Sequence, residues 1–81
     1  MICGYVFVTT DLGRAIEVAE GMSKMESVKS ACAITGVFDV IAHFEVEDIK
    51  EVGSMVVDEI HSMDGVIETQ TAICVGCHGI C

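Results

Sequence analysis

The segment FDVIAHFEVEDIKE, residues 38–51, decides the fold because it joins a buried strand to the start of a helix. Apolar residues dominate positions 38–46, which is typical of a strand at the centre of a sheet. Asp48 and Glu51 then have the spacing of a capping box, in which each side chain accepts a hydrogen bond from the other residue's backbone. The segment therefore predicts a third strand over 38–46 and a second helix over 49–63.

The sequence on either side predicts three more strands and one more helix. The strands are rich in β-branched and apolar residues and lie at 2–9, 28–35 and 66–75. The additional helix begins at residue 12 or 13, with Thr10 or Asp11 as its N-cap, and ends at residue 25. The order is βαββαβ, a ferredoxin-like fold of the α+β class, with a four-stranded antiparallel sheet and both helices on one face. An internal repeat, MESV at 25–28 and MDGV at 63–66, supports two strand–helix–strand halves.

The central strands are apolar on both faces. Right-handed crossovers place the first and third strands at the sheet centre. Tyr5 and Phe7 lie on one side of the first strand, and Val6 and Val8 lie on the other. Since two helices cover only one face, we expect a second copy to cover the other, giving a homodimeric α/β barrel paired through the sheets. The alternative is an uncovered, half-polar surface, which is supported by Thr9, His43 and Glu45.

Composition limits the classes of function. The 81 residues are enough for one domain, and a hydrophobic share of 52% excludes intrinsic disorder. Four Lys and Arg against 13 Asp and Glu give a net charge of −9, which argues against direct binding of nucleic acid. We expect a cytoplasmic protein with no membrane partner, because no apolar run is long enough to span a bilayer and no signal peptide is visible.

Two short motifs resemble those of a known family. TGVFDVI at 35–41 resembles a T-G-x-[FY]-D-hydrophobic turn. MDGVIETQT at 63–71 resembles an ending of the form l-P-G-V…T-x-T, with Asp64 in place of the proline. Both motifs are similar to those of the effector-binding domain, or RAM domain, of the Lrp/AsnC transcriptional regulators. The resemblance covers residues 5–75 and implies a ligand-sensing domain over 1–76, followed by a Cys- and His-rich tail over 77–81.

The resemblance implies a sensor of small molecules, typically amino acids. We expect no enzymatic activity, because the sequence contains no nucleophile elbow and no phosphate-binding loop. No helix-turn-helix module precedes the domain, so we expect a stand-alone sensor acting in transcriptional regulation. It would act through its own oligomers, as a homodimer or an octamer, or through a full-length Lrp/AsnC regulator as partner. The residues that the resemblance assigns to the effector site lie in the turn, on the second helix and in the last strand: Gly36, Phe38, Asp39, Ile49, Thr69, Thr71 and Ala72.

The turn and strand residues have a chemical basis for this role and also a structural alternative. Asp39 can accept a hydrogen bond from an ammonium group, and backbone N–H groups near Gly36 can meet a carboxylate. Alternatively, Asp39 bonds the backbone of its own turn and Gly36 supplies a positive φ. Thr69 and Thr71 would then reflect β-propensity on an exposed face.

Five cysteines indicate a second class of function, a thiol-dependent metal-binding or redox protein. The ending CVGCHGIC, 74–81, contains a Cys-x-x-Cys pair, the spacing at which two thiolates share one metal. Antiparallel pairing of the first and last strands brings Cys3 close to this pair. The predicted ligands of a tetrahedral metal site are Cys3, Cys74, Cys77 and either His78 or Cys81. Zinc, Cu(I) or an iron–sulfur cluster would suit these thiolates, and no other cofactor is expected.

The cysteine-rich ending has two other interpretations, of which the first stays open and the second is discounted. The thiols could simply be reduced groups on a frayed tail. Cys-x-x-Cys-His also matches the c-type haem attachment motif, but that attachment occurs outside the cytosol and the chain is too small to enclose a haem. Elsewhere, we expect Cys32 to pack as a small hydrophobe, His43 to be an interface residue and His61 to be solvated.

Overall fold

Four strands form one antiparallel sheet in the computed structural model, which describes residues 1–77. The strands are β1 (Ile2–Thr10), β2 (Val28–Ala33), β3 (Val40–Val46) and β4 (Val66–Ile73), in the sheet order β2-β3-β1-β4. The predicted ferredoxin-like order and the central placement of β1 and β3 are therefore confirmed.

Two helical segments connect these strands. Helix α1 (Ala15–Ser23) joins β1 to β2, and helix α2 (Ile49–Gly53) follows β3. The chain then continues as a π-helix over Ser54–Ile60, so that the second helical segment ends within three residues of its predicted end. None of the helices within residues 1–77 is long and apolar enough to cross a membrane.

The two helices begin in different ways. The capping box of α2 is present as predicted, because Asp48 Oδ1 accepts from the Lys50 N–H at 2.9 Å and Glu51 Oε2 accepts from the Asp48 N–H at 2.8 Å. The N-cap of α1 is Arg14, whose side chain makes no capping bond, so the prediction of Thr10 or Asp11 was wrong. The reason is tertiary: the Asp11 N–H donates to the Gly65 carbonyl at 2.8 Å, which holds Asp11 outside the helix.

Alternate residues of β1 and β3 pack against the helices. The burial of both strands alternates along their length, as expected for a sheet covered on one face. We call this covered side the helix face. Its largest fully buried side chains come from both layers: Phe44, Met22, Ile60, Val6, Val8, Val18 and Val40.

The opposite side of the sheet, which we call the open face, has no covering helix within residues 1–77. Tyr5, Phe7, Ile41 and His43 lie on it and remain partly accessible. Their rings associate: Tyr5 and His43 lie 5.1 Å apart, and Phe7 lies 5.1 Å from Phe38, between ring centroids. The open face is thus an aromatic and aliphatic surface along the two central strands.

Candidate functional site

Asp39 fixes the turn between β2 and β3 to the end of β1. Its Oδ2 accepts a hydrogen bond from the Thr10 N–H at 2.9 Å. Its backbone N–H donates to the Val8 carbonyl at 2.9 Å, and its carbonyl accepts from the Ile34 N–H at 2.8 Å. The carboxylate therefore bonds the backbone of another strand, not that of its own turn.

The rest of this turn combines an open backbone with a packed ring. Gly36 has a φ of 141°, which side chains disfavour, and a Cβ there would meet no atom within 4 Å. The Phe38 ring packs on Phe7 at the edge of the open face. The turn thus presents an accessible backbone at Gly36 beside the fixed carboxylate of Asp39.

The three predicted effector residues of β4 lie on two faces of the sheet. Thr69 is paired with Val8 and Thr71 with Val6, which places both threonines on the helix face. Ala72 is paired with Tyr5 and lies on the open face. The strand therefore divides these candidates between two surfaces.

His61 is a functional candidate that the sequence interpretation missed. It is exposed, as predicted, but its Nε2 lies 2.7 Å from Thr69 Oγ1. These two side chains line an open groove of about 330 Å³ together with Val66, Ile67 and Glu68. No local pattern signals this contact, because it joins the end of a helical segment to the next strand.

Ile49 lies far from the turn. Strand β3 leads away from the turn, from Val40 to Val46, and Ile49 begins the helix beyond its far end. Seven strand residues span about 20 Å. One copy of the chain therefore does not bring Ile49 together with Gly36, Phe38 and Asp39.

Three of the predicted metal ligands come together near the start of β1, at the end of the strand remote from the Asp39 turn. The Cys74 N–H donates to the Cys3 carbonyl at 2.9 Å, which sets the two residues opposite each other. The sulfur atoms of Cys3, Cys74 and Cys77 all lie within 4.8 Å of one another. The first two residues are half-buried and Cys77 is exposed. The other predicted ligands, His78 and Cys81, lie outside the described residues.

Two further residues of the sheet bear on the open face. His43 Nε2 is inaccessible to solvent and has no hydrogen-bond partner within residues 1–77. Cys32 is exposed in β2, next to Ile41, so the prediction that it packs as a small hydrophobe was wrong for a single copy. The physical reason is that Cys32 lies opposite Ile41 on the open face, which no helix within residues 1–77 covers.

Asp64, the departure from the family motif, has a structural role. It accepts a hydrogen bond from Arg14 Nη2 at 3.0 Å and so ties the loop before β4 to the start of α1. This hydrogen bond is the main cause that raises the pKa of Arg14, with the charges of Glu17 and Asp64 adding to it. Arg14 and Lys24 are both paired with carboxylates.

The chain matches known proteins along almost its whole length. Residues 3–76 match the family model described as the Lrp/AsnC ligand binding domain. The solved structure of FFRP-DM1 is 27% identical, with a TM-score of 0.86, over 93% of this chain and 100% of its own. TTHA0845 from Thermus thermophilus is 24% identical, with a TM-score of 0.91, over 99% of this chain and 100% of its own.

Similar structures also include a longer regulator. The transcriptional regulator NMB0573 from Neisseria meningitidis, solved as an L-Met complex, is 23% identical, with a TM-score of 0.81. The match covers 93% of this chain but 50% of that protein, so the present chain spans about half the regulator's length. A comparison with curated proteins gives no significant match.

Proposed function

We propose that this chain, which belongs to the family of Lrp/AsnC ligand-binding domains, binds an amino acid as its effector and acts in transcriptional regulation without contacting DNA itself. The family match over residues 3–76 carries the proposal. The similar Neisseria regulator was solved with L-Met, which supports an amino acid as the class of effector. The proposed role is binding, not catalysis, in the cytoplasm.

The turn around Asp39 supplies groups that suit an amino acid. Asp39 Oδ2 is occupied by the Thr10 N–H, while its other oxygen makes no hydrogen bond within residues 1–77 and can accept from an ammonium group. The accessible backbone at Gly36 can approach the effector's carboxylate. Because Asp39 is already fixed by three hydrogen bonds, little ordering free energy is spent when the effector binds.

The proposed effector site is completed by more than one copy of the chain. Ile49 lies about 20 Å along the sheet from the turn in one copy, so a site that contains both needs a neighbouring copy. The groove at His61 and Thr69 lies on the outer strand β4, where a neighbour can reach it. The proposal therefore couples effector binding to assembly, as a homodimer or a larger ring such as an octamer.

The open face is the proposed dimer contact. Buried polar groups nearly always have a hydrogen-bond partner, and His43 Nε2 lacks one among the described residues. A second sheet packed on Tyr5, Phe7 and Ile41 would cover their apolar surface and could supply that partner. A full-length Lrp/AsnC regulator could pair through the same face, which would connect this chain to a DNA-binding protein.

Thermal denaturation with each of the twenty amino acids tests the proposed effector. We expect at least one to raise the Tm, by about 10 °C or more at a hundredfold excess over its Kd. Asp39→Asn should remove this rise, because the negative charge that would bind the ammonium group is lost. The variant should still fold, since the amide oxygen of Asn can accept from the Thr10 N–H. Asp11→Asn, an exposed acid at the same end of the sheet, is the matched control and should respond like the wild type.

Two results would contradict this proposal. One is that none of the twenty amino acids changes the Tm or the sedimentation coefficient. The other is that Asp39→Asn responds to the effector as the wild type does, since the ammonium would then be recognised elsewhere.

A further inference from the structure

We infer that Cys3, Cys74 and Cys77 form a binding site for a thiophilic d10 metal ion, Zn(II) or Cu(I). The site does not depend on the proposed effector function, because it lies at the other end of β1 from the turn. Its three sulfur atoms come from two chain segments that are more than 70 residues apart in sequence and lie within 4.8 Å of one another. Such convergence needs the folded sheet.

The pairing of the first and last strands positions two of the thiols, and the third follows after a short bend. Cys3 and Cys74 lie opposite each other across the β1–β4 pair, next to the paired residues Gly4 and Ile73. Side chains at opposite positions of antiparallel strands lie on the same face, with Cβ atoms about 4.5–5.5 Å apart. Two residues then separate Cys74 from Cys77, which is the spacing that zinc-binding turns use.

The sulfur separations are close to those of ligands on one metal. With Zn–S bonds of about 2.3 Å, tetrahedral or trigonal geometry sets sulfur atoms about 3.8–4.0 Å apart. The separations of up to 4.8 Å therefore need only a small side-chain rotation. The half-buried Cys3 and Cys74 would shield the ion, and the exposed Cys77 would keep it accessible from solvent.

The donor set selects the class of ion. Three thiolates favour soft ions such as Cu(I) and Zn(II) over Mg(II) or Ca(II), which prefer oxygen ligands. Cu(I) is satisfied by three thiolates. Zn(II) takes a fourth ligand, which water can supply. The net charge of −9 favours either cation near this surface.

Metal titration of the untagged 81-residue chain under argon with a non-thiol reductant tests the inference. We expect one equivalent of Zn(II) or Cu(I) per chain, measured against a chelator of known affinity. Co(II), used as a probe, should give thiolate-to-cobalt charge-transfer absorption. At a hundredfold excess over its Kd, the bound ion should raise the Tm by about 10 °C or more, because it ties β1 to the end of β4.

Cysteine variants locate the site. Cys3→Ser and Cys77→Ser should each lower the affinity at least about tenfold, since even losing an outer-shell partner of a metal ligand costs that much. Cys32→Ser is the matched control, an exposed thiol in β2 outside the cluster, and should bind like the wild type. Circular dichroism would verify that each variant is folded. Loss of affinity in both cluster variants, with Cys32→Ser unchanged, supports the site for whichever ion binds.

Several outcomes would overturn the inference. Binding of much less than one equivalent of either ion by the reduced wild type would contradict the proposed site. Binding as tight in Cys3→Ser as in the wild type would show that the ending of the chain binds metal without β1. An equal loss of affinity in Cys32→Ser would indicate adventitious thiol binding.

Discussion

The helix face and the open face of the sheet are built from alternate residues of the same two strands, yet they differ in how completely the chain covers them. On the helix face, Val6, Val8 and Phe44 are fully buried. On the open face, Tyr5 keeps 37% of its surface exposed and His43 Nε2 has no partner within residues 1–77. The difference indicates that one face is complete in a single copy, whereas the other is suited to association.

Substitution of matched phenylalanines should give the largest effect and would test the comparison directly. Phe44→Ala should lower the free energy of unfolding by about 3–5 kcal/mol, because it leaves a cavity in a fully buried core. Phe7→Ala should cost less at low protein concentration, since Phe7 is only half-buried in one copy. Urea denaturation at two protein concentrations measures both.

The concentration dependence of the second variant is the decisive part. If the open face pairs with a second copy, the cost of Phe7→Ala grows with protein concentration by mass action. Equal costs for both variants at low concentration would contradict the distinction between the two faces.

A charge on the open face should give the next largest effect, on association. Ile41 lies between Cys32 and Phe7 in the sheet register, near the centre of this face. Ile41→Asp should weaken dimerisation at least about thirtyfold, as expected for a central contact worth about 2 kcal/mol or more. Analytical ultracentrifugation measures this.

Val57→Asp is the control for that experiment, because Val57 is exposed on the helical layer. It should dimerise like the wild type. A wild-type chain that sediments as a single copy at micromolar concentration would end the interpretation of the open face as an interface.

A methyl group added at Gly4 would test how tightly the helix face is packed. A Cβ there would meet the Ala72 carbonyl oxygen and the Phe44 ring. Gly4→Ala should therefore cost about 1–3 kcal/mol, which is typical of an overpacked core. Gly53→Ala is the control, since a Cβ at that position meets no atom within 4 Å, and it should be neutral or stabilising. Thermal denaturation that ranks the two variants the other way would contradict this account.

Loss of the N-cap of α2, a helix that covers the helix face, should give the smallest effect on stability. Asp48→Ala should lower the free energy of unfolding by about 1 kcal/mol, because the Lys50 N–H loses its acceptor. Asp58→Ala, an exposed acid later in the same helical segment, should change it by less than about 0.5 kcal/mol. Chemical denaturation would detect the difference, and equal effects would remove the cap as the cause.

Much of the fold could be predicted because its signals are local or periodic. The apolar composition of β1 and β3 and the Asp48–Glu51 capping box depend on short stretches of sequence, and the strand order follows from the handedness of the crossovers. The predicted bounds of β2 and β4 extended two residues too far, since Ile34 and Cys74 remain apolar after the ladder ends. The start of α1 could not be predicted, because a bond from Asp11 to Gly65 decides it.

The candidate sites were predictable to different degrees. Antiparallel pairing of the first and last strands was enough to predict that Cys3 lies near Cys74 and Cys77. The contact of His61 with Thr69 gave no sequence signal, because it depends on how the π-helical segment ends above β4. The effector-binding roles of the turn and strand residues stay predictions.

The sequence by itself determined which residues form each face of the sheet, because side chains alternate strictly along a strand. It also determined that a carboxylate follows Gly36 in the turn and that two thiols lie three residues apart at Cys74 and Cys77. Only the tertiary structure decided that the Asp39 carboxylate is bonded to Thr10 and that Ile49 lies at the opposite end of the sheet. Both features relate residues that are distant in sequence, and their geometry exists only once the strands have paired in register.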